Sequence, residues 1–492
     1  MSAIVLTVVL LVASGPIAAS AQGREIRDGE ITIAIEGELT TSDAVEGHLI
    51  DVSTEDGIVT LEGTVDHLLA RDQALRIARS HKGVRAVIDE LTVRPVDRPD
   101  YEIRQDAVLA MSMDPAAESY QIEIDVEDGV VTLRGEVESM AEKRIAEKAV
   151  KKVRGIREIV DFIRVEQDEN RPDDEIRNEI ERRFELDPYI SEWLVDVEVE
   201  DGEVRLEGTV GSSEEMMRIY GEAWVSGVED VDAGGLDVEW WAEDRLKRDR
   251  ESRFREDEEI EKALQDALLY DEAVTSGSIT VAVEDGVATL TGKVGSLREK
   301  ISAGEDARKT IGVYQVVNNL RVRPEGGAEV DDSKIEERVQ RALKMSPVLE
   351  RYELEAVSRN GKVYLYGQVD SYYEYDQALR LASDIKGVID VASRLKVEYS
   401  NEDVRDRMIE DRIEKEFMWN PYVDSEDLEV EVEDAVATLK GKVDNWRQYQ
   451  ETMDAAFRGG AFAVESELIF EYSGEKRQPY RGVIRRSHRY LW

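Results

Sequence analysis

The fold is decided by the stretch VEDGVVTLRGEV, Val126–Val137, in which an Asp-Gly step separates two segments of alternating apolar and polar residues. If Asp128 and Gly129 are the central residues of a type I′ turn, the two segments form a β-hairpin. Ile124 then pairs with Leu133, and the apolar side chains of both strands lie on one face of the hairpin. The stretch therefore predicts a two-stranded ribbon with one apolar side.

Near-copies of this phrase occur six times along the 492 residues. Each copy carries a glycine near the end of its second predicted strand, and these glycines are spaced by 72, 73, 84, 75 and 74 residues. The six are Gly63, Gly135, Gly208, Gly292, Gly367 and Gly441. A period of this length indicates a tandem array of small domains and not a solenoid of shorter units.

A second set of glycines lies in the predicted turns, six residues before the first set. Its members are Gly57, Gly129, Gly202, Gly286 and Gly361. We expect positive φ at these positions, so Ala435, which takes the place of the glycine in the sixth copy, should cost about 1 kcal/mol. We also expect the later glycine, such as Gly135, to let a covering helix approach the sheet closely.

A helix is predicted on either side of each hairpin. In the third copy Ile176, Ile180 and Phe184 recur at helical spacing behind Asp173 and Asp174, which we expect to cap the helix. A second apolar stripe follows the hairpin, and a short alternating segment then predicts a third strand. Each unit is thus helix, strand, strand, helix, strand, and the fold class is α+β.

The repeated pattern resembles the BON domain family (bacterial OsmY and nodulation). The likeness rests on the hairpin phrase, on a Gly-Val step such as Gly83-Val84, and on a final L-x-V such as that ending at Val93. The resemblance implies a three-stranded sheet with two helices on one face. It also implies residence in the bacterial envelope, where such domains are thought to bind phospholipid or to assist other envelope proteins.

We therefore predict a tandem array of six small domains. The expected organisation is a signal peptide (1–21), BON-like domains at 26–95, 98–166, 172–239, 257–324, 331–398 and 402–472, a helical basic and aromatic linker (240–256), and a basic aromatic tail (473–492). Other joints, such as RPVDRPD at 94–100, are short, polar and rich in proline or glycine. Such linkers predict domains that are partly independent of one another.

Composition and charge exclude several classes of function. Acidic residues outnumber basic ones by 109 to 64, and a formal net charge of −45 repels nucleic acid. The absence of cysteine excludes disulfides and thiol nucleophiles, and the four histidines are not spaced as metal ligands. We therefore predict a protein that is not an enzyme and has no cofactor, no metal and no small-molecule substrate.

The first 21 residues carry no charged side chain, and an apolar run is followed by the small residues Ala19, Ser20 and Ala21. This pattern predicts a secretory signal cleaved after Ala21, although a retained segment is the alternative. We accordingly expect export to the periplasm or cell envelope.

Two segments combine basic with aromatic residues and are the candidate membrane or partner contacts. They comprise Trp240, Trp241, Arg245 and Arg248 in the linker, and Arg481, Arg485, Arg486, Tyr490 and Trp492 in the tail. Tryptophan and tyrosine favour the headgroup layer, and a basic residue near an anionic leaflet contributes about 1 kcal/mol. The alternatives are a solvated connecting helix and a frayed end.

The sequence favours a non-enzymatic, multivalent binding protein whose domains contact phospholipid or envelope proteins through individually weak contacts. A second hypothesis for the function is a stress-related holdase chaperone for unfolded exported proteins, and a third is a structural spacer. Strong acidity is also typical of proteins from salt-adapted organisms and would then carry no function of its own.

Overall fold

The computed structural model describes residues 26–114, 121–137, 140–165, 171–187, 189–239, 242, 256–271, 273–274, 276–313, 315–324, 331–398, 402–443, 446–472, 475–477 and 483–485. The predicted signal peptide and nearly all of the predicted linker lie outside these ranges. Within them the chain forms six consecutive units, which we call repeats one to six.

The elements follow the same order in every repeat. Repeat one contains α1 (Asp28–Thr41), β1 (Ile50–Glu55), β2 (Ile58–Val65), α2 (Leu68–Arg79) and β3 (Ala86–Val93). Repeat two contains α3 (Asp100–Met113), β4 (Gln121–Glu127), β5 (Val130–Val137), α4 (Met140–Lys151) and β6 (Glu158–Val165). Repeat three contains α5 (Asp173–Leu186), β7 (Val195–Glu200), β8 (Glu203–Val210), α6 (Ser213–Glu222) and β9 (Asp230–Val238).

The second half of the chain repeats this order. Repeat four contains α7 (Asp257–Tyr270), β10 (Ile279–Glu284), β11 (Val287–Val294), α8 (Leu297–Lys309) and β12 (Gln315–Val322). Repeat five contains α9 (Asp332–Met345), β13 (Glu355–Arg359), β14 (Lys362–Val369), α10 (Tyr372–Ser383) and β15 (Asp390–Val397). Repeat six contains α11 (Glu402–Trp419), β16 (Leu428–Glu433), β17 (Val436–Val443), α12 (Trp446–Arg458) and β18 (Ala463–Tyr472), and two short strands follow, β19 (Glu475–Arg477) and β20 (Val483–Arg485).

Each repeat contains a three-stranded sheet in which the hairpin is antiparallel and the third strand lies parallel to the second, and in repeat six β19 and β20 extend this sheet to five strands. The register of the second hairpin pairs Ile124 with Leu133 and Val126 with Val131, as predicted from its Asp-Gly step. Because the second and third strands are parallel, the connection between them must cross over the sheet, and the second helix provides this crossover. The predicted α+β class, with six helix-strand-strand-helix-strand domains, is confirmed.

The apolar stripes of the helices cover the apolar side of each sheet. In repeat three Ile176, Ile180 and Phe184 are buried and pack in one cluster with the strand residues Leu206 and Val204. Burying a side chain of this size contributes roughly 1.5–3 kcal/mol. The stripe therefore holds the first helix on the sheet.

The turns have the predicted backbone, but the first helix holds them in a way that the sequence did not indicate. Asp201 and Gly202 have φ of 51° and 78°, as a type I′ turn requires. The carboxylate of Asp173, at the start of α5, accepts the N–H groups of both residues, at 2.9 and 3.1 Å. Equivalent pairs of bonds recur in every repeat, from Asp28, Asp100, Asp173, Asp257, Asp332 and Asp406. We call this arrangement the turn clasp.

The turn clasp corrects the predicted capping of α5. The N-cap residue of that helix is Pro172, whose side chain makes no capping bond, and the carboxylate of Asp173 is directed to the hairpin. An aspartate in the first helical turn still interacts favourably with the helix dipole. Its main contribution, however, is to join the first helix to a turn that lies 28 and 29 residues further along the chain.

The glycines of the second strand have a different role from the one predicted. A Cβ placed on Gly208, where φ is 137°, would lie 2.1 Å from the carbonyl oxygen of Leu194, which precedes the first strand. The expectation that Gly208 lets a helix approach is wrong. Its missing side chain leaves room for the backbone that leads into the first strand of its own sheet. Close approach of a helix occurs instead at Gly227, where a Cβ would lie 3.0 Å from the Cδ1 atom of Ile176.

Candidate interaction surfaces

Arg485 is the one predicted contact residue that lies within the described residues. It is exposed and belongs to β20, which pairs antiparallel with β18 at the outer edge of the sixth sheet. The strand β19 pairs with the other end of β18. These two segments of the tail are therefore strands and not a frayed end. The other predicted contact residues lie outside the described residues, namely Trp240, Trp241, Arg245, Arg248, Arg481, Arg486, Tyr490 and Trp492.

The repeats pack against one another, and repeats two and five do so reciprocally. The backbone N–H of Arg154 donates to the carbonyl of Met345, and the N–H of Lys386 donates to the carbonyl of Met113, both at 2.9 Å. Each donor directly precedes the third glycine of its repeat, which is the glycine that follows the second helix (Gly155 or Gly387). Each acceptor is the last residue of a first helix. The two repeats are therefore related by an approximate two-fold axis, and each satisfies a helix-end carbonyl of the other.

Repeats one and six pack through the same two regions. The N–H of Lys82 donates to the carbonyl of Trp419, the last residue of α11, at 2.9 Å. Its ammonium group also donates to the carbonyls of Met418 and Val423. Arg412 forms an ion pair with Asp43 at 3.1 Å. The first repeat is thus joined to the last, although more than 300 residues separate them.

Repeats three and four form the remaining pair. Helices α5 and α7 are in contact, and the guanidinium of Arg183 lies 5.6 Å from the ring centre of Tyr270. The prediction of partly independent domains is wrong, because polar linkers do not prevent the helices of one repeat from packing on those of another. The sequence did carry a signal for this packing in Met113 and Met345, apolar side chains that each join the core cluster of the partner repeat.

A cleft of about 820 Å³ lies where repeats one, five and six meet. Apolar, aromatic and charged side chains line it together, including Ile33, Tyr372, Tyr373, Arg412, Met418 and Trp419. Ile33 and Met418 are 70% and 57% exposed. The cleft has the size of a small-molecule or peptide site, and it could not be predicted because it exists only between repeats.

Half-buried charged groups lie beside this cleft. The guanidinium of Arg458 donates to Glu416 at 2.7 Å and to Glu451 at 3.2 Å. Burial by itself would lower the pKa of Arg458, but the two carboxylates outweigh that effect and raise it. Burial, and then the neighbouring Glu416, raise the pKa of Glu38 to about 8. Glu38 therefore keeps its proton to a higher pH than an ordinary glutamate does.

His81 lies against the same network. Its ring is buried, its Nδ1 atom lies 2.8 Å from the carbonyl oxygen of Ile77, and its centre lies 5.7 Å from that of Trp419. Burial lowers the pKa of His81, which favours the neutral form of the ring. The pairing of Arg458 with Glu416 and Glu451 is typical of an ion network that stabilises the fold. It is not the arrangement of a nucleophile hydrogen-bonded to a general base.

Two further findings concern the described residues as a whole. No group of three or more histidine, cysteine, aspartate or glutamate side chains among them is arranged to hold a metal ion. In the same part of the chain, no helix combines the length and the apolar character needed to cross a membrane.

Comparison with known proteins places these features in a family. The model of the BON domain matches residues 27–95, 100–167, 172–238, 256–324, 331–399 and 405–467. The chain is 28% identical over 144 residues to the Osmotically-inducible protein Y of Escherichia coli (strain K12), a match that covers 28% of this chain and 72% of that protein.

Two solved structures also match. One is CdsD, a structural protein of the type III secretion system of Chlamydia trachomatis, with 14% identity, 47% of this chain and 97% of the other covered, and a TM-score of 0.13. The other is the C-terminal domain of the same protein, with 13% identity, 45% and 96% covered, and a TM-score of 0.12. The matched ranges of the family model coincide with the six structural repeats, and the chain belongs to the BON domain family.

Proposed function

We propose that this chain is a non-catalytic, exported protein of the bacterial envelope that acts in osmotic stress and contacts anionic phospholipid headgroups through its basic C-terminal segment. Membership of the BON family and similarity to an osmotically inducible protein support the envelope and stress setting. The paired charges beside the inter-repeat cleft form a structural ion network, which supports a non-catalytic role.

The observation that carries the lipid contact is the position of the tail. Strands β19 and β20 attach the segment to the outer edge of the sixth sheet, where Arg485 is exposed. Residues 475–492 contain six arginines and lysines and one glutamate, whereas the whole chain has a net charge of −45. An anionic membrane therefore attracts this edge and repels the rest of the molecule.

Pairing of the repeats changes the multivalent mechanism that the sequence favoured. The ends of the first helices in repeats two and five are occupied by each other, through Met113 and Met345. Six equivalent helical surfaces are consequently not free to bind lipid at once. The proposed contact is a single basic edge, held by a scaffold of acidic repeats that stays in the aqueous phase.

Co-sedimentation with vesicles tests this function. The full chain should bind vesicles that contain anionic phosphatidylglycerol, and removal of residues 474–492 should abolish binding. Arg485→Glu should weaken binding severalfold, since reversal of one charge near the leaflet changes the free energy by roughly 2 kcal/mol at most. The matched control is Arg164→Glu, which alters an arginine that is 82% exposed on the sheet of repeat two.

Salt dependence separates this mechanism from an apolar contact. Binding should fall steeply as salt is raised, because screening weakens exposed charge interactions. Equal binding by the full chain and the truncated chain, or equal effects of the two arginine variants, would show that the tail is not the contact.

A holdase function is the second candidate, and the strand edges favour it. Within the described ranges, the third strand of repeats one to five has no neighbour on its outer side, whereas β18 accepts two antiparallel strands on that side. An open edge of this kind can take up an extended chain by strand addition. Suppressed aggregation of an unfolded client, without binding to any vesicle, would support this function in place of the first.

A further inference from the structure

One ion pair between repeats two and five joins residues at equivalent positions. Lys152 and Asp384 each lie three residues before the third glycine of their repeat, Gly155 and Gly387. Their Nζ and Oδ2 atoms are 2.6 Å apart, and each side chain is 24% exposed. The pair therefore lies beside the approximate two-fold axis defined by the reciprocal backbone bonds.

A second pair of equivalent residues joins repeats three and four. Arg182 is the tenth residue of α5, and Asp266 is the tenth residue of α7. Their side chains form an ion pair across the contact between the two helices. In both pairs of repeats, residues at equivalent positions carry opposite charges and form an ion pair, although the positions differ between the two pairs.

Opposite charges at equivalent positions can determine which repeats associate. A two-fold contact brings a position beside the axis against its own equivalent, so a repeat that met a copy of itself would place like charges together at these positions. Repeat two would bring lysine onto lysine, and repeat five aspartate onto aspartate. Like charges at such an interface suppress the wrong pairing, whereas unlike charges favour the right one.

We propose that Lys152 with Asp384, and Arg182 with Asp266, determine which repeats associate, so that two pairs with five, three pairs with four, and the second half of the chain lies against the first. The partner that each surface fits is another BON repeat with the opposite charge at the equivalent position. Packing of the helices provides the affinity of both contacts, together with the reciprocal backbone bonds between repeats two and five, and these side chains provide the specificity.

The side chains around Asp384 favour a negative charge at this position. Burial alone would raise the pKa of Asp384, but Lys152 and Arg298 outweigh burial and hold the pKa below its usual value. Arg298 comes from repeat four and also pairs with Asp114 of repeat two. Lys148 lies close to the same carboxylate. A lysine at position 384 would therefore meet three cations.

Charge exchange in the full chain tests the proposal. Lys152→Asp and Asp384→Lys should each expose the amide hydrogens of Arg154 and Lys386, which are donated across the interface, and should raise their exchange rates roughly tenfold or more. The double variant restores unlike charges at positions 152 and 384 but leaves Arg298 and Lys148 beside the new lysine. Both rates should therefore fall well below those of Asp384→Lys without reaching the wild-type values. Lys396→Asp, on an exposed lysine of β15, is the control for a charge change alone.

Two further measurements distinguish loss of pairing from loss of folding. The amides of Gly129 and Gly361, held by the turn clasps of repeats two and five, should stay protected in every variant, which separates loss of pairing from loss of folding. The same cycle on Arg182 and Asp266 should show the same recovery, measured at α5 and α7. Failure of both double variants to recover protection, with the clasps intact, would overturn the proposal.

Discussion

Replacing the clasp aspartate of repeat three with asparagine should destabilise that repeat selectively. Asp173 accepts two backbone N–H groups through its two carboxylate oxygens, at 2.9 and 3.1 Å. An asparagine has one carbonyl oxygen and places an N–H₂ group where the second acceptor was. The variant therefore keeps at most one of the two bonds and leaves one N–H of the turn without its charged acceptor.

The expected magnitude follows from the bond that is lost. A hydrogen bond to a charged group contributes about 1.5–3 kcal/mol, and the partly exposed turn allows water to replace some of it, so the loss should lie near the lower end of that range. Asp174→Asn is a closely matched control. It removes the same charge from the same end of α5, but Asp174 is exposed and its carboxylate does not hold the turn.

Hydrogen exchange is the appropriate assay, because six packed repeats need not unfold in one transition. In Asp173→Asn the amides of β7 and β8 should exchange about tenfold faster than in the wild type, since 1.4 kcal/mol corresponds to a factor of ten. Asp174→Asn should change them by less than about threefold. Equal acceleration in the two variants would refute the clasp and leave only a loss of helix-end charge.

Three further predictions concern backbone strain and pH. Gly208→Ala should destabilise repeat three by about 3 kcal/mol or more, because the new Cβ would lie 2.1 Å from a backbone oxygen. Gly221→Ala in α6, where the nearest atom would be 3.8 Å from the Cβ, should stabilise the repeat by about 0.5–1 kcal/mol. Local exchange rates measure both changes. Ala435→Gly should stabilise repeat six by up to about 1 kcal/mol, because φ is 59° there, and unchanged or faster amide exchange in β16 and β17 would show that strain is absent. The raised pKa of Glu38 means that the folded state binds the extra proton, so stability should fall as pH rises from about 4.5 to about 8 and then level off. Glu38→Gln should flatten that part of the stability curve, and an unaltered curve would assign it to another group.

The parts of the fold that the sequence predicted are those set by local rules. An Asp-Gly step between alternating strands specifies the hairpin, and its register at Ile124 and Leu133 follows from the turn type. Helical spacing of Ile176 and Ile180 specifies which face is buried, without reference to any other repeat. These features recur six times, so each copy supported the interpretation of the others.

Features that depend on distant parts of the chain were not predicted. Acidic residues are too common here for Asp173 to stand out, although an aspartate 28 residues before every turn was present in the sequence as a signal. The role of Gly208 depends on the carbonyl of Leu194, whose path before the first strand has no sequence signature. Pairing of the repeats depends on surfaces that appear polar in isolation, and its signal, Lys152 against Asp384, is visible only when repeats two and five are superimposed.

Distance measurements between spin labels test the central claim, a chain of six BON repeats folded into specific pairs, most directly. The chain has no cysteine, so two exposed outward positions, Glu158 in repeat two and Lys396 in repeat five, can be replaced by cysteine and labelled without competing sites. Pairing predicts one narrow distribution of distances, which reversal of the charge at Lys152 broadens. A broad distribution in the otherwise unchanged chain, unaffected by that reversal, would mean that the repeats move independently and would contradict the account.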